Sequence, residues 1–82
     1  MVIATNHPYI VKDSKILKSE PVLKGTRTPI RAVVELWKWG NSPEDILEHF
    51  PHLKLAQVFD ALSYYADHKQ ELERYIKDNS RA

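Results

Sequence analysis

Ten residues constrain this chain more than any others: Pro21-Val22-Leu23-Lys24-Gly25-Thr26-Arg27-Thr28-Pro29-Ile30. They hold a short apolar strand candidate (Val22, Leu23), a glycine turn, and a helix start in which Thr28 can cap and Pro29 can take the first helical position. The stretch is the hinge between a β-leaning beginning and a helical remainder. Thr26, Arg27 and Thr28 bring two hydroxyls and a guanidinium beside a helix N-terminus, whose free N–H groups and dipole favour an anion such as phosphate.

Size and charge set the bounds. Eighty-two residues make one domain whose core is thin, since folding at this length buries only about two-thirds of the unfolded chain's surface. Dimerisation would add to it. With 43% hydrophobic and 28% charged residues the composition is that of a globular chain. No apolar run approaches the roughly 18 residues of a membrane span, and Met1 to Ile10 lacks a basic region followed by an apolar one, so a cytoplasmic location without membrane association is expected. The absence of cysteine excludes disulfides and thiolate zinc sites. Net charge is +1, but residues 1–40 hold seven Lys/Arg against three acids while residues 41–82 hold five against eight. A basic front and an acidic back suit nucleic acid on one side and a basic protein on the other, or head-to-tail attraction of two copies; ordinary solvated faces would read the same way.

Taken in order, residues 1–8 read as an extended N-terminal arm, 9–77 as a single domain and 78–82 as a frayed tail. Tyr9-Ile10-Val11 is a short strand ended by a turn, and Ile16-Leu17 and Val22-Leu23 either join it in a small sheet or line the core. Lys12, Lys15 and Lys18, three residues apart, either follow a phosphate backbone or protect a sheet edge. From Pro29 to Trp39 the apolar positions fit one helical face closed by Gly40, with Trp37 in the core and Trp39 at an interface. Ser42-Pro43-Glu44-Asp45 starts a second helix with a capping box, and Pro51 stops it. From about Lys54 the apolar residues Leu55, Val58, Phe59, Leu62, Tyr65, Ala66, Leu72 and Ile76 recur at helical spacing. An unbroken helix to Lys77 would run about 36 Å, longer than the core requires, so a break near Asp67-His68 or a dimer contact is expected. The fold class expected is mainly α with a small N-terminal β element. Two helices joined by about four residues suit a helix-turn-helix, its second helix in the major groove.

On that reading the outward residues of the last helix are Lys54, Gln57, Asp60, Ala61, Ser63, Tyr64 and Asp67. Gln57 can read adenine, and Lys54, Ser63 and Tyr64 can hold phosphates or a base edge. Asp60 and Asp67 oppose close approach to DNA, and the non-specific affinity would come from the turn, through Lys24, Thr26, Arg27 and Arg31. Trp39, Tyr65, Leu72, Tyr75 and Ile76 form the expected partner interface. His49, His52 and His68 complete no constellation of nucleophile, base and orienting group, so no enzyme activity, metal or cofactor is expected.

The segments Pro21-x-Leu23-x-Gly25-Thr26-Arg27-x-Pro29-Ile30, Gly40-x-Ser42-Pro43-Glu44-Asp45-Ile46-Leu47, Phe50-Pro51-x-Leu53 and Ala61-Leu62-x-Tyr64-Tyr65-Ala66-Asp67-His68-x-x-Glu71 together resemble the domain of unknown function 433 family, over roughly residues 9–76 of this chain. The resemblance implies a helix-turn-helix or winged-helix-like domain. It also implies an antitoxin-like protein that pairs with a PIN-like nuclease toxin encoded beside it and binds DNA, with no known catalytic residue; a homodimer that regulates its own operon is the expectation built on it. The alternative from another class is a protein-interaction or dimerisation module that binds no nucleic acid. Two positions depart from the family pattern: Ser19 stands where a glycine is expected and Lys54 where a capping threonine is expected.

Overall fold

The computed structural model describes residues 1–80. Three short strands, β1 (Val2–Ala4), β2 (Ile10–Asp13) and β3 (Val22–Leu23), form an antiparallel sheet in that order. Four helices follow: α1 (Ile30–Lys38), α2 (Pro43–His49), α3 (Leu55–Asp67) and α4 (Lys69–Asn79). The N-terminal arm is thus extended and its first part is paired, Val2 opposite Asp13 and Ala4 opposite Val11. Ile16-Leu17 makes no strand. It leads into a single 3-10 turn, Leu17–Ser19, in which three consecutive non-glycine residues have φ of 50°, 53° and 69°. For residues with a Cβ, left-handed backbone costs about 1 kcal/mol each, and Ser19 therefore occupies a conformation in which a glycine would be unstrained. Residues 78 and 79 of the expected tail belong to α4, and residues 81 and 82 lie outside the described residues.

The hinge stretch folds back on itself. Gly25 has φ +80°; the Thr26 N–H and its hydroxyl both donate to the Leu23 carbonyl, at 3.0 and 2.8 Å. The Leu23 N–H donates to the Thr28 carbonyl and the Ile30 N–H to the Pro21 carbonyl. One helix-start donor that was expected to face an anion is consequently used inside the fold. Pro29 is the N-cap residue of α1 rather than its first helical residue, and no side chain caps the helix. Thr28 instead shares a 2.8 Å hydrogen bond with His52 Nε2, tying the turn to the α2–α3 connection. At the other end, Gly40 (φ +99°) closes α1 with paired bonds, Gly40 N–H to Trp37 carbonyl and Asn41 N–H to Leu36 carbonyl, the geometry of a Schellman motif.

Helix α2 begins as its residues dictate: the Asp45 N–H donates to Ser42 Oγ at 3.1 Å and the Ser42 N–H to Asp45 Oδ2 at 3.3 Å. At α3 a lysine side chain has no acceptor to offer, and half of a box remains, the Lys54 N–H donating to Gln57 Oε1 at 2.6 Å. The long helical pattern breaks at His68 (φ −132°, ψ 47°), which ends α3 and starts α4. The core joins sheet and helices through Ile10, Leu23, Ile30, Val33, Val34, Ile46, Val58, Ala61 and Leu72, all fully buried. Each of the larger side chains, valine, leucine or isoleucine, contributes on the order of 2 kcal/mol by leaving water. No helix among the described residues is long and apolar enough to cross a membrane.

Candidate functional site

The turn keeps two exposed cations and withdraws the rest of its expected phosphate contacts. Lys24 and Arg27 are exposed. Arg31 is not available in the same way: its Nε donates to Glu20 Oε2 at 2.8 Å, and the Glu20 side chain is only 5% exposed. Arg31 also lies 3.7 Å from Glu35. Thr26 is occupied too, since its hydroxyl donates to Leu23 and accepts the Thr28 N–H at 3.0 Å. Lys12 lies in the central strand, so it guards no sheet edge, and its ammonium meets Glu71 at 2.8 Å.

On α3 the outward face differs from the expected one. Tyr64 is buried and donates its hydroxyl to Glu71 Oε1 at 2.8 Å, so it cannot reach a phosphate or base. Burial, then this bond, push the Tyr64 hydroxyl well above the usual tyrosine range. Burial pushes the Glu71 carboxyl up, but the Lys12 and Tyr64 hydrogen bonds outweigh it and hold the group below its ordinary value of 4.5. Asp60 faces inward: it accepts the Tyr9 N–H at 2.8 Å and lies 3.3 Å from His7 Nδ1. Asp67 lies 3.1 Å from His7 Nε2. The buried His7 therefore bridges two carboxylates, and its ring packs edge-on against Tyr64 at 5.2 Å. Nothing in the arm's sequence announced His7, because its partners lie more than fifty residues away along the chain.

What remains outward on α3 is a stripe of Ala56, Phe59, Ser63 and Ala66, flanked by Lys54, which is exposed, and Gln57, whose oxygen caps the helix. Phe59 is 51% exposed. One turn along, Leu62 lines a groove with Trp37, Lys38, Tyr65, Ala66 and Lys69. Trp37, expected in the core, is 46% exposed and meets Tyr65 edge-on at 6.3 Å. Trp39 is 77% exposed and lines a second groove with Leu36, His49 and Phe50. The two tryptophans thus flank the end of α1, Trp37 toward α3 and Trp39 toward α2.

The other residues of the expected interface are deeper. Leu72 is fully buried, anchoring α4, and Tyr65 is buried with its hydroxyl donating to Glu73. Burial and that bond push the Tyr65 hydroxyl up to about 12. Tyr75 and Ile76 are half-buried. Among the described residues no cluster of three His or acidic side chains is placed to hold a metal ion, and His52 and His68 serve packing: His68 stacks on Tyr64 at 4.2 Å.

The family model described as "Protein of unknown function (DUF433)" matches residues 10–65. The crystal structure of a DUF433 member protein from Anabaena variabilis ATCC 29413, at 2.00 Å resolution, is similar to this chain with a TM-score of 0.78 and 20% sequence identity, over 84% of this chain and 68% of that one. That likeness concerns the fold. Among curated proteins nothing matches.

Proposed function

The chain belongs to the DUF433 family, and on that premise we propose that it is a non-catalytic binding protein whose main surface is the helical side that exposes Trp37, Trp39 and Phe59 (the aromatic ridge). The observation that carries this reading is the exposure of three large aromatic side chains, 46%, 77% and 51%, on the helical side of an 82-residue chain. Aromatic anchors flanked by grooves are what a protein partner uses for affinity. The α3 face beside them, Ala56, Phe59, Ser63 and Ala66, has no cation of its own and is ill-suited to a major groove. The family resemblance supplies the partner's class: a PIN-like nuclease encoded next to this chain, with this protein in the antitoxin-like role.

Co-expression with the adjacent gene product, followed by sizing of the purified complex, tests the reading. The double variant W39S/F59S should weaken that complex at least about tenfold, the loss expected for two interface anchors, while K24E/R27E should leave it intact. An undiminished complex in W39S/F59S sinks the assignment of this surface.

A second reading rests on a separate observation, the exposed Lys24 and Arg27 at the Gly25 turn. DNA held there would be bound through phosphates, without base readout, in a helix-turn-helix arrangement of α2 and α3. Mobility shift of a non-specific duplex at low salt should show binding that K24E/R27E removes. Binding unaffected by that change, or none at all, rules the turn out.

A further inference from the structure

The sheet has two edges, and they are finished differently. β3 is two residues long and its outer side is already bridged by Pro29 opposite Val22. β1 has no strand paired to its outer side among the described residues, and Val2, Ile3 and Ala4 are all exposed. Of the devices that keep an edge from pairing it has only its shortness, three residues; Val2 to Ala4 contains no lysine, no proline and no charged side chain.

The register tells which backbone groups are left over. Val2 faces Asp13, Ile3 faces Lys12 and Ala4 faces Val11, and the Ser14 N–H donates to the Met1 carbonyl at 3.1 Å. In an antiparallel ladder, hydrogen-bonded pairs alternate with non-bonded ones. Since Met1 opposite Ser14 is bonded, Ile3 opposite Lys12 is bonded, and the Val2 and Ala4 pairs are not. The N–H and C=O of Val2 and of Ala4 therefore point away from β2, into open space. Two donors and two acceptors lie there, placed symmetrically about Ile3.

We propose that β1 pairs with β1 of a second copy of this chain, antiparallel, about a two-fold axis through Ile3. In that register Val2 meets the partner's Ala4 and Ala4 the partner's Val2. All four outward groups of each strand are satisfied, giving four hydrogen bonds, and the two Ile3 side chains face each other at the axis. The pattern is self-complementary, as a two-fold interface demands, and a second copy is the occupant because the spacing about Ile3 reproduces itself under that rotation. Val2 and Ile3, 60% and 53% exposed, lose water on pairing. The result is one six-stranded sheet, and the interface is separate from the aromatic ridge.

Sedimentation of the full chain, with any tag kept off the N-terminus, tests this from micromolar to near-millimolar concentration. A reversible dimer is expected, with the Val2 and Ala4 amides gaining protection from hydrogen exchange as concentration rises. Ala4→Pro removes an N–H that the monomer's ladder does not use, and with it two of the four bonds, so it should weaken the dimer about tenfold or more while the circular dichroism and melting of the monomer stay unchanged. Ile3→Lys sets two ammonium groups side by side at the axis and should abolish the dimer. A monomer at every concentration overturns the proposal, as does a dimer that both variants leave intact. Should Ile3→Lys fail to fold, Ala4→Pro decides.

Discussion

Arg27 and Arg31 carry the same charge four residues apart, and the fold treats them in opposite ways. Arg27 is exposed, whereas Arg31 neutralises a Glu20 carboxylate that is almost wholly buried. Removing one partner of such a pair leaves an uncompensated charge in the interior, at a cost of about 3 kcal/mol or more. Arg31→Ala should therefore lower the free energy of unfolding in urea by about that amount, and Arg27→Ala by no more than about 0.5 kcal/mol. Equal effects would show that Glu20 is solvated in the absence of its partner. The sequence made the two arginines look alike because Glu20 lies eleven residues from Arg31, beyond any helical spacing. Tyr64 looks outward in the sequence for a related reason. An amphipathic aromatic suits a surface or a core, and the choice fell to Glu71, a carboxylate on the next helix that accepts its hydroxyl.

At the level of the elements, most caps and turns were legible, the expected Thr28 cap of α1 excepted. Ser42 with Asp45, Gly40, the Gly25 turn and the break at His68 all depend on residues within a few positions of one another. The orientation of α3 was not. Its apolar residues occupy two stripes, Val58-Ala61-Tyr65 and Leu55-Phe59-Leu62-Ala66; the first is buried, whereas in the second Leu55 and Leu62 are half-buried and Phe59 and Ala66 exposed. Periodicity alone assigns both to the core. α4 is a different case, a polar helix held by Leu72 and by its carboxylates: Glu71 with Lys12 and Tyr64, Glu73 with Lys38 and Tyr65. The Lys38 ammonium, then the Tyr65 hydroxyl, hold the Glu73 carboxyl below its usual range. Both carboxyls are depressed in the folded state, so their contribution is complete above the ordinary value of 4.5 and is lost as pH falls through the lower folded values. Tyr65 is raised from 10.0 to about 12, so its contribution is complete below pH 10.0 and disappears as pH climbs through that interval. Urea denaturation as a function of pH should accordingly fall off at both ends. Glu71→Gln should flatten the acid limb, and an acid limb unchanged by it would assign the loss to other carboxylates.

For the molecule as a whole, the uneven charge of the two halves finds much of its purpose inside the fold. Lys12 and Lys38 from the basic front meet Glu71 and Glu73 from the acidic back, and His7 meets Asp60 and Asp67. With a net charge of only +1, little global repulsion is left for salt to relieve. Moving from about 0.01 M to about 0.15 M sodium chloride shortens the screening length from about 30 to about 8 Å and should lower stability by up to about 1 kcal/mol. A rise in melting temperature over that range would mean that repulsion outweighs these pairs. Finally, both tryptophans of the chain stand at the end of α1, 46% and 77% exposed. The protein's intrinsic emission therefore reports its surface rather than its core. Unfolding should shift the spectrum only slightly, whereas a partner that covers the ridge should move it to the blue, which makes the unlabelled chain its own docking sensor.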